Sequence, residues 1–242
     1  MNQQSLLDQV LEIADTASRK VMEIYQTDFQ VQTKDDNSPI TEADIASHHV
    51  IVDGLTALTP DIPILSEESA NAPWEERKTW TRFWLVDPID GTKDFTNRTG
   101  EFTVNIALIE NGEPVMGVVT APALGDAYWG IKGQGAWKRE ADGSTRRLAV
   151  ENPPQAIRAV ASKNHMNEDT RHFTSSWAST NWSRPAAASS SAASPKARPI
   201  STRALGPPAN GTPAPPTRYW SPPVARLPSL MAHRWRMARK RY

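Results

Sequence analysis

The 242-residue sequence contains no cysteine. That excludes a disulfide framework, a thiolate nucleophile and a Cys-ligated zinc site, so any bound metal must be held by oxygen or His ligands. The chain also lacks a run of about 18 apolar residues, which argues against a transmembrane helix. Its opening residues, Met1 to Asp8, show neither the basic nor the apolar region of a secretory signal, and a cytosolic protein is the expectation. Acid is missing from one end. All 27 Asp and Glu fall within residues 1–173, beside 16 Lys and Arg, a balance of −11 there, whereas the last 69 residues carry 11 Lys and Arg and no acid.

What is present divides along the same line. A content of 22% charged and 38% hydrophobic residues suits a soluble globular protein of one large or two small domains. Thr174 to Tyr242, however, hold 11 of the 20 Pro, 13 Ala and 11 Ser, with no sustained helical or strand period. This tail reads as irregular chain, because a Pro-rich polar segment buries too little apolar surface to offset the entropy of ordering. Residues 1–173 are patterned normally. Leu6, Leu7, Val10, Leu11, Ala14, Ala17, Val21, Met22 and Tyr25 mark an amphipathic helix from Ser5 to Tyr25, with Ser5 as N-cap. A second helix is expected from Thr41 to Leu58, capped by Thr41, with Ile45, His49, Val52 and Leu55 on one face. Strands are expected at Ile62 to Leu65, Phe83 to Val86, Thr103 to Glu110, Val115 to Thr120 and Ala127 to Ile131, and Asn111-Gly112 signals a hairpin. Helices first and hairpins after give an α+β arrangement, two helices covering an antiparallel sheet.

The segment that carries chemistry is Trp84-Leu85-Val86-Asp87-Pro88-Ile89-Asp90-Gly91-Thr92, an apolar strand ending at two carboxylates three residues apart. Two Asp at a strand end can share one divalent cation or bridge two, and Pro88 and Gly91 let the chain turn so that both side chains and a carbonyl converge. Gly91 and Thr92 would offer close backbone approach to a phosphate. Taken alone, Asp-Pro and Asp-Gly are ordinary turn dipeptides. Two further acidic clusters also stand at element ends: Ser66-Glu67-Glu68-Ser69 after a strand and Thr41-Glu42-Ala43-Asp44 at a helix start. Each has a simpler reading, a solvated turn for Glu67 and Glu68 and a first-turn helix acid for Asp44. An EF-hand needs ligands at alternate positions and is excluded by the spacing of Asp87 and Asp90, and a P-loop is absent. The aspartate motif of haloacid dehalogenase-like phosphatases spaces its two Asp one residue closer.

Thr41-Glu42-Ala43-Asp44, Glu67-Glu68 and Asp87-Pro88-Ile89-Asp90-Gly91-Thr92, in that order and spacing, resemble the inositol monophosphatase superfamily of Mg²⁺-dependent, lithium-sensitive phosphatases. Trp84 to Pro88, Gly91 to Phe95 and Gly100 to Ile109 are similar to its bacterial 3'(2'),5'-bisphosphate nucleotidase branch. The resemblance covers residues 1 to about 173. It implies a layered α-β-α-β-α sandwich, with residues 1–150 as an N-terminal metal-binding α+β domain, 151–173 as the start of a second domain, and 174–242 as a basic tail. It further implies two or three Mg²⁺ ions. Glu67, Asp87 and the Ile89 carbonyl would hold the first, and Asp87 with Asp90 the second. Glu67, Asp90, Gly91 and Thr92 would meet the substrate, with His165 near a second substrate phosphate, although a lone His is equally a surface residue. Asp44 would hydrogen-bond Thr92 and with it orient a water for in-line attack on phosphorus, with Glu67 also in the catalytic set. The implied reaction is hydrolysis of adenosine 3',5'-bisphosphate, a by-product of sulfate activation, to AMP and phosphate. Inositol or fructose phosphates are the alternative substrates. The implied location is the cytoplasm, including the cytoplasmic face of the inner membrane, with a small phosphorylated nucleotide as partner and no nucleic acid.

The family pattern continues with Gly-Ser-Ser-Leu-Lys, a Gly-Pro-Thr turn and Trp-Asp, none of which follows Phe173. The genetic code offers a reason. When the free third base of each codon is joined to the first two bases of the next, Leu205 to Trp220 permit Gly-Pro-Thr-Ser-Glu-Trp-Asp-Thr-Gly-Ala-Ala-His-Ala-Val-Leu. Pro185 to Leu205 permit Gly-Ser-Ser-Leu-Lys-Phe-Cys-Cys-Val-Ala-Glu-Gly-Lys-Ala-Asp-Ile-Tyr-Pro-Arg-Leu. Both match the missing segments in order and spacing. The tail therefore reads as a frameshift product beginning between about His165 and Thr174, in a chain expected to be weakly active or inactive for want of the Trp-Asp carboxylate. The competing reading is a disordered basic arm that binds nucleic acid, with Trp177, Trp182, Trp220 and Trp235 stacking on bases.

Overall fold

A computed structural model describes residues 2–34, 39–69 and 72–149, together with the backbone of 158–160 and 181–183. Helix α1 (Gln3–Tyr25) buries Leu6, Leu7, Val10, Ala14, Ala17 and Val21, the stripe its spacing predicts. It begins ahead of Ser5. The cap is Asn2, whose side-chain oxygen accepts from the Ser5 amide at 2.7 Å; an Asn reaches an orphan first-turn amide as well as a Ser does. A short hairpin of β1 (Val31–Thr33) and β2 (Pro39–Thr41) then delivers the chain to α2 (Glu42–Leu58). Thr41 caps α2 in a reciprocal box with Asp44.

The buried face of α2 corrects the sequence reading. Ala43, Asp44, Ser47, Ile51 and Leu55 point inward, whereas Ile45 is 39% exposed and His49 lies on the solvent side. The helix is rotated so that its polar residues Asp44 and Ser47 face the turns beside them, where both find hydrogen-bond partners. Such partners remove most of the cost of burying them.

Strand β3 (Ile64–Ser66), helix α3 (Trp74–Arg77), β4 (Arg82–Asp90), helix α4 (Thr92–Thr96), β5 (Thr103–Glu110), β6 (Glu113–Ala121), β7 (Asp126–Ile131), β8 (Gly135–Arg139) and β9 (Thr145–Leu148) follow. The seven strands β3 to β9 pair in chain order in one sheet. The sheet is antiparallel except at one edge, where β3 and β4 run parallel because the chain between them crosses over through α3. The β5–β6 hairpin turns at Asn111 and Gly112, both with positive φ (50° and 77°), as the Asn-Gly signal requires.

Helices α1 and α2 pack on each other and cover one face of the sheet. Trp84, Val86, Val104, Ile106, Leu108, Met116 and Val118 alternate onto that face and form the main core with them. The other face carries a smaller cluster of Leu65, Phe83, Ala107 and Ile109. Strands β10 (Arg158–Val160) and β11 (Asn181–Ser183) pair in parallel as a separate ribbon. Strand β11 lies inside the segment read as irregular tail. Three residues are too few to show a period in sequence, yet an available partner edge suffices to pair them. Among the described residues no helix is long and apolar enough to cross a membrane.

Candidate active site

The site is built where β4 ends. Its register with β5 pairs Asp87 with Asn105 and Asp90 with Thr103, so Pro88 and Ile89 together oppose the single residue Val104. This bulge twists the strand end and takes the Pro88 and Ile89 carbonyls out of the regular ladder. Asp87 is buried at 7% exposure and Ile89 at 3%. Gly91 follows at φ 97°, and its carbonyl accepts from the Asp94 and Phe95 amides as α4 begins. A Cβ at Gly91 would stand 3.0 Å from the Glu101 carbonyl oxygen. Gly91→Ala is therefore expected to lower stability by about 1–3 kcal/mol, measured as a lower urea midpoint.

Beneath α4, Phe95 and Phe102 pack with Tyr25 and Phe29 at ring separations of 4.7–5.1 Å. Arg98 lies over Tyr25 and Phe29 and donates to the Thr27 carbonyl at 2.6 Å. The helix that carries Thr92 is thereby anchored to the end of α1.

Asp44 comes to the site from α2. One of its oxygens accepts from the Thr41 amide (2.8 Å) and the Thr41 hydroxyl (2.7 Å), and the other accepts from the Thr92 hydroxyl at 3.3 Å. The same hydroxyl stands 3.3 Å from the Ile89 carbonyl. Burial pushes the Asp44 carboxyl above its usual range, opposed by the Thr41 bonds, Lys34 and Thr92.

Glu67 and Glu68 reach the site from the turn after β3, and the Glu67 amide donates to the Val86 carbonyl at 3.1 Å, which places the turn beside Asp87. Lys34, just past β1, pairs with Glu68 at 2.6 Å and Glu67 at 3.7 Å. Burial alone would lower the Lys34 ammonium's pKa, but the hydrogen bond to Glu68 and the charges of Glu67, Glu68 and Asp44 raise it above the ordinary lysine value. Burial raises Glu68 despite Lys34.

Asp90 reports the electrostatics of the group. Burial first, then the charges of Glu67 and Asp94, push its carboxyl from 3.8 up to about 6. Its environment is thus strongly negative. An all-oxygen donor set of Glu67, Asp87, Asp90 and the Ile89 carbonyl in such a field fits a hard divalent cation in kind. Among the described residues no three acidic or imidazole side chains already converge into a closed chelate. Lys34 is paired with Glu67 and Glu68 on one side of the group.

The structure joins Asp44 to Thr92 and brings the turn that carries Glu67 beside the end of β4. His165 lies outside the described residues, as does all of the tail except the backbone of β11. Sequence reasoning missed Lys34, Ser47, His48 and Ser66. Lys34 precedes Asp35-Asp36 in sequence and reads there as an ordinary surface charge.

Residues 2–194 match the Inositol monophosphatase family, reaching beyond the point near residue 173 where the motif resemblance ends. The chain belongs to this family. It is 47% identical over 170 residues to the 3'(2'),5'-bisphosphate nucleotidase CysQ of Escherichia coli O6:H1, covering 69% of this chain and 68% of that protein. The CysQ of Buchnera aphidicola is 39% identical, over 69% of this chain and 63% of its own. Among solved structures, CysQ from Bacteroides thetaiotaomicron, described as a bacterial member of the same family, superposes with a TM-score of 0.65 at 31% identity, covering 76% of this chain and 73% of that one. An IMPase/NADP phosphatase complexed with Mg²⁺ and phosphate has a TM-score of 0.63 at 19% identity, over 78% of this chain and 70% of that one, a likeness of fold.

Proposed function

We propose that this chain is built to hydrolyse adenosine 3',5'-bisphosphate to AMP and phosphate, with two or three Mg²⁺ ions held by Glu67, Asp87, Asp90 and the Ile89 carbonyl. The observation that carries the reading is the Thr92 hydroxyl, within 3.3 Å of both the Asp44 carboxylate and the Ile89 carbonyl, directly beside Asp87 and Asp90. Mg²⁺ would supply charge neutralisation to the attacking and leaving oxygens, the main requirement of phosphate ester hydrolysis. The protein's own groups do the rest. Asp44, held by the Thr41 amide and hydroxyl, accepts from the Thr92 hydroxyl, whose lone pairs would then be left to orient a water. Gly91, with no side chain, lets phosphate approach the backbone, and the amide of Thr92 meets it. The 39–47% identity to CysQ proteins supports the nucleotide over inositol or fructose phosphates.

The proposal includes the frameshift. A basic, acid-free tail whose shifted codons permit the family's later motifs in order is best explained as a second domain read out of frame. The test is Mg²⁺-dependent phosphate release from adenosine 3',5'-bisphosphate, inositol 1-phosphate and fructose 1,6-bisphosphate, with the chain as it stands and with one base restored near codons 165–174. The expected result is a preference for the nucleotide, weak in the first protein and strong in the second. Full turnover by the unaltered chain would overturn the frameshift, and a preference for inositol phosphate would overturn the substrate.

A further inference from the structure

Three side chains on one face of α2 reach three different pieces of the site. Asp44 holds Thr92, as described. One turn on, Ser47 is fully buried and its hydroxyl donates to the Pro88 carbonyl at 2.9 Å. That carbonyl is one of the two that the bulge takes out of the regular β5 pairing. The next residue, His48, places Nδ1 2.9 Å from the Ser66 hydroxyl. Ser66 is 1% exposed and is the last residue of β3, immediately before Glu67. Its hydroxyl also accepts from the Glu68 amide at 3.4 Å, and its carbonyl accepts from the Ser69 amide at 3.2 Å. The hydroxyl and Nδ1 share one hydrogen, given by Ser66 or by the imidazole according to its tautomer, and either way the bond joins His48 to the end of β3.

We propose that Ser47 and His48 are positioning residues for the metal-binding carboxylates: Ser47 ties the Asp87 to Asp90 turn, and His48 through Ser66 ties the Glu67 turn, to a single rigid helix. The inference rests on the metal-site reading above and adds to it the device that sets the spacing of the ligands. The two segments follow the last β3–β4 pair, Ser66 with Val86, and past it a single backbone bond, from the Glu67 amide to the Val86 carbonyl, joins them directly. Helical spacing adds a second tie. Residues 44, 47 and 48 are neighbours on one helix face, so the distance between their contacts is set by helix geometry rather than by two separate loops. Asp44 on the same face places Thr92 in the same frame. Partners that orient metal ligands typically matter by 10–100-fold in metal affinity.

Two readouts on the full chain test this, with His48→Ala, His48→Asn and Ser47→Ala. The first is amide hydrogen exchange in metal-free protein. His48→Ala is expected to speed exchange at Glu67, Glu68 and Ser69 by about tenfold or more, and Ser47→Ala to do so at Ile89 and Asp90, with β5 and β6 unchanged. His48→Asn, whose amide can take the place of Nδ1, restores the slow rates. The second is Mn²⁺ binding by calorimetry. Each alanine variant is expected to weaken it by about 10–100-fold, and His48→Asn to recover most of the loss. Exchange that accelerates uniformly over the sheet, or stays unchanged in both turns, would overturn the positioning role, as would Mn²⁺ affinity that is the same in all folded variants. Local acceleration in the turns of a parent chain that binds no Mn²⁺ would uphold the helix ties and overturn the metal reading instead.

Discussion

Asp87→Asn is expected to abolish Mn²⁺ binding detectable by calorimetry and to lower Mg²⁺-dependent phosphate release by about three orders of magnitude, in whichever protein turns over, the chain as it stands or its frame-restored form. The substitution keeps size and shape at a site only 7% exposed, so circular dichroism and the urea midpoint report an intact fold. What it removes is the charge. Asp87 stands in β4 between Val86 and the bulge, beside the turn that carries Glu67, and in the proposed site two ions would share it. A variant that keeps its rate within tenfold would remove Asp87 from the ligand set.

The second large effect is on metal-free stability. The folded-state value for Asp90, about 6 against 3.8, means that the native protein holds this proton more tightly than the unfolded chain does. Its stabilising contribution is therefore fully present below about pH 4 and is lost as pH rises through 6. Asp90 keeps a partly open edge, so solvent screening reduces the expected swing to about 1–2 kcal/mol. Asp44 and Glu68, also raised by burial, act in the same direction. The clean measurement is the difference in urea stability between the parent and Asp90→Asn, in chelator, from pH 4 to pH 8. The variant should gain on the parent as pH rises, and added Mg²⁺ should reverse the order at pH 8. A difference that is flat with pH would contradict a carboxylate kept protonated by its acidic neighbours. The physical content is simple: the negative field of Glu67 and Asp94 that raises Asp90 would become affinity for a cation.

Much of this arrangement is legible along the chain. The α1 stripe from Leu6 to Val21, the Thr41 cap, the full extent of β5 and the Asn111-Gly112 turn are local patterns, each written within a few residues of where it acts. The carboxylate clusters are also visible, because they sit at element ends where periodicity stops. The tail is different: its composition offers no period from which to place an element, and the proposed frameshift rests on codon arithmetic. The errors arise where a local rule competes with a distant partner. Ile45, His49 and Val52 satisfy a helical stripe in α2, yet the helix turns Asp44 and Ser47 inward instead, since their hydrogen bonds lie in other segments.

By itself, then, the sequence determined the family, the order of the main helices and strands, and the candidate ligands Glu67, Asp87 and Asp90. Only the tertiary structure decided that β3 and β4 run parallel, that Lys34 pairs with Glu67 and Glu68, and that Ser47 and His48 reach the two acidic turns. The reason is separation. Ser47 meets Pro88 across 41 residues and His48 meets Ser66 across 18, and no hydrophobic period, cap or turn rule relates residues so far apart until packing on the sheet brings them within hydrogen-bond distance.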